Sequence, residues 1–362
     1  MYLSTLQLVN WRNHLSASFS FTPTTNIVIG PNALGKTNII EAIIFLAITK
    51  SFRLRQDKLL ITHDLPFSKV TGDFSDQEND LKIEIRLINQ DFKTKKEIYL
   101  NGLAKRAIDL IGQTPVVYFC PEEIERFFSS PASRRRWLDI AISLTDHRYS
   151  CNSAVYRKVV QNRNQILKKI SKNLANENEL KFWDDKWLQL AEDIIQARRE
   201  FISQLSPVAG ENFTQLFKTN NSLTINYLES YIGSDLTAGL RRALDINRRK
   251  EIRYGNTITG PHREDIIINL NDKKITEVGS RGQMRLALLA LKMSEAWYLE
   301  QKKATTPIVI LDDIFSELDQ ANSQHVFDFI RSNQTIITAT DLESLPSEFR
   351  QANIIDLNKQ NN

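Results

Sequence analysis

Eight consecutive residues near the start of the chain have the spacing of a phosphate-binding loop. They match the pattern GxxxxGK[ST] without a mismatch, follow the apolar run Ile27-Val28-Ile29 and precede an apolar stretch typical of a buried helix. In such a loop, backbone N–H groups surround the β- and γ-phosphates of a nucleotide, a lysine adds positive charge and a hydroxyl ligates magnesium. A glycine turn that precedes a lysine by chance would not explain the strand and helix around it. We therefore predict ATP and Mg²⁺ as cofactors, with the nucleotide bound at Gly30, Pro31, Asn32, Ala33, Leu34, Gly35, Lys36, Thr37 and Asn38.

Two adjacent carboxylates far along the chain could complete this site. Asp312 and Asp313 directly follow the apolar run at residues 308–311, which is typical of a buried strand. We predict that Asp312 holds Mg²⁺ through water, that Thr37 is a direct ligand, and that Asp313 polarises the attacking water as a general base alongside Lys36. Two acids on a surface turn are the alternative, and the strand before them argues against it.

A serine before a later helix could bind the same phosphates. Ser280 precedes an amphipathic stretch with Leu286, Leu289 and Met293 on one face, and is its predicted N-cap. A serine at a helix N-terminus favours anions, although any capped helix shares this feature. The polar turn at residues 316–319 carries no meaning by itself.

The elements that must position these residues alternate between strand and helix. Strands are predicted at residues 27–29, 82–88, 97–100, 116–119, 266–270, 308–311 and 336–337, and helices at residues 36–50 and 281–298. Buried strands that alternate with helices indicate an α/β fold. From residue 121 to 254 apolar residues recur at helical spacing without long heptads. We predict one ATPase domain formed by residues 1–120 and 255–362, interrupted by a helical arm at residues 121–254.

The composition is ordinary for a soluble globular protein. Hydrophobic residues make up 41% and charged residues 25% of the 362 residues. The longest apolar run, residues 39–48, is too short to span a bilayer, and no basic stretch leads into it. Cys120 and Cys151 form no CxxC pair, so neither a disulfide framework nor a zinc site is expected. We expect a cytoplasmic protein with no membrane partner, whose net charge of +4 permits local nucleic-acid patches.

Taken together and in this order, the motifs resemble those of the SMC-like ABC ATPases of chromosome maintenance, and among them the RecF family over nearly the whole chain. The matching segments are residues 2–3, 10–14, 30–32, 35–38, 41–43, 121–123, 130–131, 134–136, 138–139, 260–265, 280–283, 311–313 and 316–319. The short arm agrees as well, because SMC proteins and the zinc-hook ATPase of double-strand-break repair carry a very long coiled coil. The resemblance implies an ABC-type ATPase head, a mixed sheet with flanking helices, interrupted by the arm.

In these ATPases the nucleotide lies between two heads, and a serine-containing segment of one head caps the γ-phosphate held by the other. The resemblance therefore implies an ATP-dependent homodimer in which a second copy contributes Ser280, Gly282 and Gln283. It also implies that Arg12 approaches the α-phosphate or base, and that Glu122 lies in the loop that senses the metal and the γ-phosphate.

The resemblance further implies a recombination mediator. Such a protein would clamp double-stranded DNA at single-strand/double-strand junctions and, with RecR and RecO, promote RecA loading in gap repair, replication restart and the SOS response. Its weak, DNA-stimulated ATPase activity would act as a switch that opens the dimer, and the protein would be nucleoid-associated in the cytoplasm.

Three residues depart from the family pattern. Ala33 stands where a glycine is usual, which costs little unless the position needs a positive φ. Phe52 replaces a histidine, so a contact from its loop is in doubt. Thr340, at the switch position after a strand, replaces the histidine of transporter-type ATPases, from which we expect slow hydrolysis.

Duplex binding requires clustered cations, because most contacts would be to phosphates. Our preferred DNA-binding candidates are Lys50, Arg53, Arg55 and Lys58, which lie nearest the expected dimer face. Residues 134–136 and the basic residues between 241 and 253 are further candidates. Each patch could instead be a solvated surface, and the arginine triplet could pair with the acids at 122, 123 and 125.

Two other functions stay open at this point. A transporter ATPase subunit is disfavoured because the insertion before Ser280 is long and no partner-binding pattern stands out. An ATP-dependent nuclease of the overcoming-lysogenisation type would need an additional cluster of carboxylates for two metals, and none is evident in the sequence.

Overall fold

The computed structural model describes residues 1–76, 80–90, 93–217, 221–233, 235–315, 318, 320–343 and 345–360. Contacts between Cα atoms divide the chain into two units. The first comprises Met1–Glu125, Asn212–Asn220 and Arg285–Asn362, and the second comprises Arg126–Glu211 and Asn221–Met284.

The first unit contains two sheets. The strands of the first sheet are β1 (Tyr2–Trp11), β2 (His14–Ser20), β4 (Phe67–Ser75), β5 (Asp80–Gln90), β6 (Lys93–Leu100) and β7 (Leu103–Lys105). They are antiparallel in the order β2-β1-β4-β5-β6-β7. The strands of the second sheet are β3 (Thr25–Ile29), β8 (Val116–Phe119), β12 (Ile308–Asp312), β13 (Thr335–Ala339) and β14 (Asn353–Asp356). They are parallel in the order β14-β3-β13-β12-β8, so the α/β class is confirmed, with antiparallel and parallel strands in separate sheets.

The helix that follows the phosphate loop, α1 (Lys36–Ile48), contacts strands of both sheets. Every residue from 39 to 48 is buried, which confirms the predicted buried helix. A Cβ on Gly72 of β4 would lie 2.6 Å from Leu46, so β4 and α1 approach closely at that point. The helix ends before the predicted residue 50 because Thr49 adopts a left-handed conformation with φ of 57°.

The second unit combines helices with a small sheet. Its main helices are α4 (Pro131–Thr145), α5 (His147–Ile170), α7 (Leu236–Tyr254) and most of α6 (Leu180–Phe217). Its strands are β9 (Leu223–Leu228), β10 (Asp265–Leu270) and β11 (Lys273–Lys274), antiparallel in the order β11-β10-β9. The other helices of the chain, which are not confined to the second unit, are α2 (Ala107–Leu110), α3 (Pro121–Ser129), α8 (Ile275–Val278), α9 (Arg281–Lys303), α10 (Gln320–Ile330) and α11 (Leu357–Gln360). Within the described ranges, no helix has both the length and the apolar character needed to cross a bilayer.

Strand β9 lies in the segment that the sequence suggested to be helical throughout. Its residues pair with β10 from Leu223↔Leu270 to Leu228↔Asp265, so the chain after residue 254 packs in the second unit up to Met284. The cause is a long-range pairing of two short strands, which helical spacing in the surrounding sequence concealed. The division into an ATPase domain and an arm stays a prediction, because packing does not assign an activity.

A buried ionic network holds helices α5, α6 and α7 of the second unit together. Arg163 of α5 is fully buried, and its guanidinium lies 2.7 Å from Asp184 of α6 and 2.7 Å from Glu251 of α7. A third bond, also of 2.7 Å, runs from Arg163 to the Thr257 hydroxyl. Every branch of the guanidinium therefore has a partner, as a buried charge requires.

Candidate nucleotide-binding site

The phosphate loop joins β3 to α1, as predicted. Gly35, just before α1, has a φ of 100°, and a Cβ there would lie 2.6 Å from the side chains of both Asn13 and His14. Glycine is therefore required at this position by conformation and by space. The N–H groups of Asn38 and Ile39 bond to the Gly35 carbonyl, so the helix begins immediately after the loop. The first N–H groups of such a helix lack intrahelical partners and can bind phosphate.

Ala33 occupies the loop position where the family usually has glycine. Its φ is 72°, which meets the condition under which we expected the substitution to matter. An L-residue in the left-handed conformation costs roughly 1–2 kcal/mol relative to the right-handed one. The loop of this chain therefore carries a strain that a glycine would relieve.

Replacing Ala33 by glycine should accordingly raise the free energy of unfolding by about 1 kcal/mol, measured by urea denaturation. Ala154, inside α5, is a matched control, because Ala154→Gly should lower that free energy by about 0.5–1 kcal/mol. If Ala33→Gly proved no more stable than the natural chain, the strain at this loop would be refuted.

Lys36 is folded over the loop that it follows. Its ammonium donates to the Gly30 carbonyl at 2.5 Å and to the Pro31 carbonyl at 3.2 Å, and the residue is 8% exposed. Burial lowers the pKa of Lys36, an effect that the charges of Asp313 and Asp312 oppose. The Lys36 ammonium therefore lies close enough to interact with the charges of both acids. The fold brings this lysine, near the start of the chain, next to two acids near its end.

Asp312 lies at the end of β12 between two hydroxyl groups. Thr338 of β13 donates to its carboxylate at 2.6 Å, and the Thr37 hydroxyl lies close enough to act on its pKa. Burial raises the pKa of Asp312, and the charges of Glu122 and Asp313 act in the same direction, whereas the two hydroxyl groups lower it. A cation beside Asp312 would favour the charged carboxylate, so the residues present suit a metal.

Asp313 follows in a strained conformation. Its φ is 50°, and its N–H donates to the Thr338 hydroxyl oxygen at 3.0 Å. Thr338 thus bonds to both acids, a role that the sequence did not suggest and that follows from the register Asp312↔Thr338 between β12 and β13. Non-glycine residues with positive φ often occur at functional sites, where surrounding contacts impose them.

One cavity of about 420 Å³ collects most of the predicted site. It is lined by Asn32, Ala33, Gly35, Lys36, Thr37, Asn38, Arg53, Pro121, Glu122, Asp312 and Asp313. Motifs from three distant parts of the sequence therefore surround one space of the first unit. Arg53, which we had placed at the DNA surface, is among them.

A second cavity of about 540 Å³ also borders Asn38. Arg12 and Asn13, from the turn between β1 and β2, line this cavity. The Asn13 side chain donates to the Leu34 carbonyl at 3.1 Å and accepts from Asn38 at 2.7 Å, while the Trp11 indole donates to the Asn38 carbonyl at 2.9 Å. The turn therefore holds the phosphate loop in place through hydrogen bonds. The sequence did not predict this contact.

Ser280 belongs to the second unit, where it is exposed before α9. Its N–H donates to the Gln283 side-chain oxygen at 2.8 Å, and the Gln283 N–H donates to the Ser280 hydroxyl oxygen at 3.2 Å. This capping box confirms the predicted N-cap. Because the hydroxyl oxygen acts as acceptor in the cap, its proton can be donated to an anion. The contribution of Ser280, Gly282 and Gln283 to a second copy's nucleotide stays a prediction.

Two smaller motifs remain, and Thr340 is not among the described residues that line the phosphate cavity. Thr340 follows β13, is exposed, and donates to Asp341 at 3.2 Å, so its switch role stays a prediction. Of the predicted polar turn, Ser316, Glu317 and Asp319 lie outside the described residues.

The predicted DNA contacts Lys50, Arg53, Arg55 and Lys58 are all exposed. Arg53 borders the phosphate cavity and Lys58 borders the second cavity, so these two also face the nucleotide site. DNA contact stays a prediction for all four.

Two residues of the arginine triplet have partners other than the acids that we had considered. Arg134 forms an ion pair of 2.7 Å with Asp265, at the start of β10, and also donates to the carbonyls of Phe127 and Phe128. Arg135 donates to the Glu264 carbonyl. These two arginines therefore connect α4 to β10 within the second unit, and the proposed pairing of Arg134 with the acids at 122–125 was wrong.

Comparisons with known proteins agree with this geometry. The sequence matches the family model described as RecF/RecN/SMC N terminal domain over residues 2–357. It is 33% identical to the DNA replication and repair protein RecF of Herpetosiphon aurantiacus over 96% of each chain. It is 34% identical to the corresponding protein of Halalkalibacterium halodurans over 97% of this chain and 96% of that relative.

A solved structure of the recombination mediator protein RecF–ATP in the RecFOR pathway superposes with a TM-score of 0.88 at 30% identity, covering 95% of this chain and 93% of that one. The fold is thus the ATPase head fold shared by SMC and RecF proteins, as the motif order implied. The chain belongs to the RecF family of DNA replication and repair proteins.

Proposed function

We propose that this chain is an ATP-switched, DNA-binding recombination mediator of RecF type. The observation that carries the proposal is the single cavity in which Lys36, Thr37, Glu122, Asp312 and Asp313 meet. A loop at a helix N-terminus, a lysine and two acids at a strand end are the parts that ATP hydrolysis requires. The ATP-bound relative supports ATP as the nucleotide of this chain.

Each residue of the cavity has a distinct task in this proposal. Lys36 and the loop N–H groups bind the β- and γ-phosphates, and Asp313 accepts a hydrogen bond from the attacking water. Thr37 and Asp312 would hold Mg²⁺, which neutralises charge on the phosphates. Since the described residues contain no cluster of three or more acids, histidines or cysteines suited to a metal, phosphate oxygens and water would supply the other ligands, as is common for Mg²⁺.

The second cavity suits the remainder of the nucleotide. Arg12 and Asn13 line it, and it shares Asn38 with the phosphate cavity. A base or ribose placed there would lie beside Arg12, in agreement with the role that family resemblance suggests. The Ser280 segment of a second copy would close the phosphate cavity and make the nucleotide a dimerisation switch.

The ATP-bound dimer would clamp double-stranded DNA at single-strand/double-strand junctions. Our candidate contacts are Lys50, Arg53, Arg55 and Lys58, and binding would be to backbone phosphates, not to base sequence. RecR and RecO would act with it to place RecA, because the ATP-bound relative belongs to the RecFOR pathway. Slow hydrolysis would then open the dimer and release the DNA.

The test is ATP-dependent binding to a gapped duplex at fixed salt. The natural chain should bind more tightly with ATP than with ADP, whereas Lys36→Met should bind equally weakly with either nucleotide. Identical ATP-dependent binding by both chains would overturn the coupling. Magnesium-dependent nicking of the same substrate would instead favour a nuclease.

A further inference from the structure

Glu41 is a buried carboxylate within an otherwise apolar stretch of α1. It lies in the middle of α1, is 0% exposed, and has apolar neighbours along the helix from Ile39 to Ile48. A buried carboxylate needs a charged or hydrogen-bonding partner, and a well-packed apolar residue could give the same stability without one. The acid therefore calls for an explanation beyond packing, and its two oxygens point to different partners.

One oxygen of Glu41 fixes the turn that carries Arg53. The Ser51 hydroxyl donates to Glu41 Oε1, and the same hydroxyl oxygen accepts the N–H groups of Arg53 at 3.0 Å and Leu54 at 2.8 Å. Ser51 is buried, so this bridge is screened little by solvent. Arg53 lines the phosphate cavity. Through Ser51, Glu41 therefore fixes the position of the Arg53 backbone, from which the Arg53 guanidinium extends.

The other oxygen of Glu41 faces Arg12. Arg12 Nε lies 3.3 Å from Glu41 Oε2, without the alignment of a hydrogen bond, so the attraction is Coulombic. Arg12 has a φ of 56° and is also held by a bond from its guanidinium to the Leu59 carbonyl at 3.0 Å. This arginine lines the second cavity. Glu41 therefore connects one arginine of each cavity.

We propose that Glu41 is a positioning residue that orients Arg12 and Arg53 on the two sides of the nucleotide. The inference rests on the proposed function, because both arginines act only if the cavities hold ATP. Glu41 itself, buried within α1, lines neither of the two cavities. It aligns two cations before the ligand arrives and so reduces the ordering needed on binding.

The test is a double-mutant cycle on ATP affinity. Glu41→Gln keeps the shape of the side chain and removes its charge, and should weaken ATP binding about tenfold or more. Arg12→Ala and Arg53→Ala should each weaken binding in the natural chain, and each should have a smaller effect when Glu41 is already glutamine. Additive effects for both arginines would overturn the positioning role, even if Glu41→Gln lowered the melting temperature.

Glu251 supplies the matched control. It is also a fully buried glutamate paired with an arginine, but it lies in the second unit. Glu251→Gln should lower stability and leave ATP affinity within about twofold, since its partner Arg163 lines neither cavity. A tenfold loss of affinity in this control would show that any buried charge change has the same effect, and would overturn the assignment.

Ser51→Ala keeps the inference testable if Glu41→Gln does not fold. It removes only the bridge to the Arg53 turn, so Arg53→Ala should cost less in this background while Arg12→Ala costs as much as before. Lys36→Met separates this inference from the proposed function. If the natural chain binds no ATP, the proposed function fails. If the natural chain binds ATP and Lys36→Met does not, the proposed function stands. Normal ATP binding by both Ser51→Ala and Glu41→Gln would then refute only the role of Glu41.

Discussion

Replacing Asp313 by asparagine should lower the rate of ATP hydrolysis by about 10²–10³-fold, with ATP affinity changed by only a few-fold. Asparagine preserves the shape of the side chain and the N–H that bonds to Thr338. It removes the basic oxygen that would polarise the attacking water, so the substitution should slow hydrolysis and leave ATP affinity nearly unchanged. Single-turnover hydrolysis and equilibrium titration measure the two quantities separately.

The same variant should accumulate the assembled state. If ATP binding drives two copies together and hydrolysis separates them, Asp313→Asn should be dimeric by light scattering with ATP and monomeric with ADP. Lys36→Met is the control, since it should stay monomeric with either nucleotide. A monomeric Asp313→Asn chain at saturating ATP would rule out the two-headed sandwich and the trans role of Ser280.

Replacing Arg163 by methionine should lower the free energy of unfolding by about 3–5 kcal/mol. Methionine fills part of the space but leaves the buried carboxylate of Glu251 without its cation, whereas the half-buried Asp184 keeps its pair with Arg248 at 2.5 Å. The expected loss is large because the penalty comes from the charge of Glu251 that stays buried, not from the missing attraction alone. Urea denaturation followed by circular dichroism would measure it.

Arg148→Met is the matched control for this prediction. Arg148 pairs with Asp193 at 3.3 Å, but its side chain is 79% exposed, so its loss should cost no more than about 1 kcal/mol. Equal destabilisation by the two substitutions would mean that burial does not govern the strength of these pairs. ATP affinity should be unchanged in Arg148→Met.

The parts of the site that the sequence predicted are those written in short, contiguous motifs. The spacing of Gly35, Lys36 and Thr37 specifies a loop between strand and helix, and the structure places it there. Ser280 was identifiable as a cap because its partner, Gln283, is only three residues away. Local physics determines such features, so a single sequence suffices to find them.

The parts that the sequence did not predict depend on contacts between distant residues. Thr338 acquires its role from strand register, and Glu41 from two partners that approach α1 from different segments. The place of Arg53 beside the nucleotide cavity was not predicted, because an arginine in a basic stretch has the same appearance whether it faces a groove or a nucleotide. The predicted dimer rests on family resemblance alone, since short motifs in one chain do not specify contacts with a second copy.

The enclosure of α1 between two sheets also bears on how this chain can diverge from its relatives. Changes of volume along this buried helix reach strands of both sheets, so they would survive only with compensating changes in those strands. Ala33 is exposed in the loop, so a change of its volume does not have to be matched inside a packed core. Substitution can therefore proceed one residue at a time at an exposed loop position such as this one, whereas the helix behind the loop must change in concert with its surroundings.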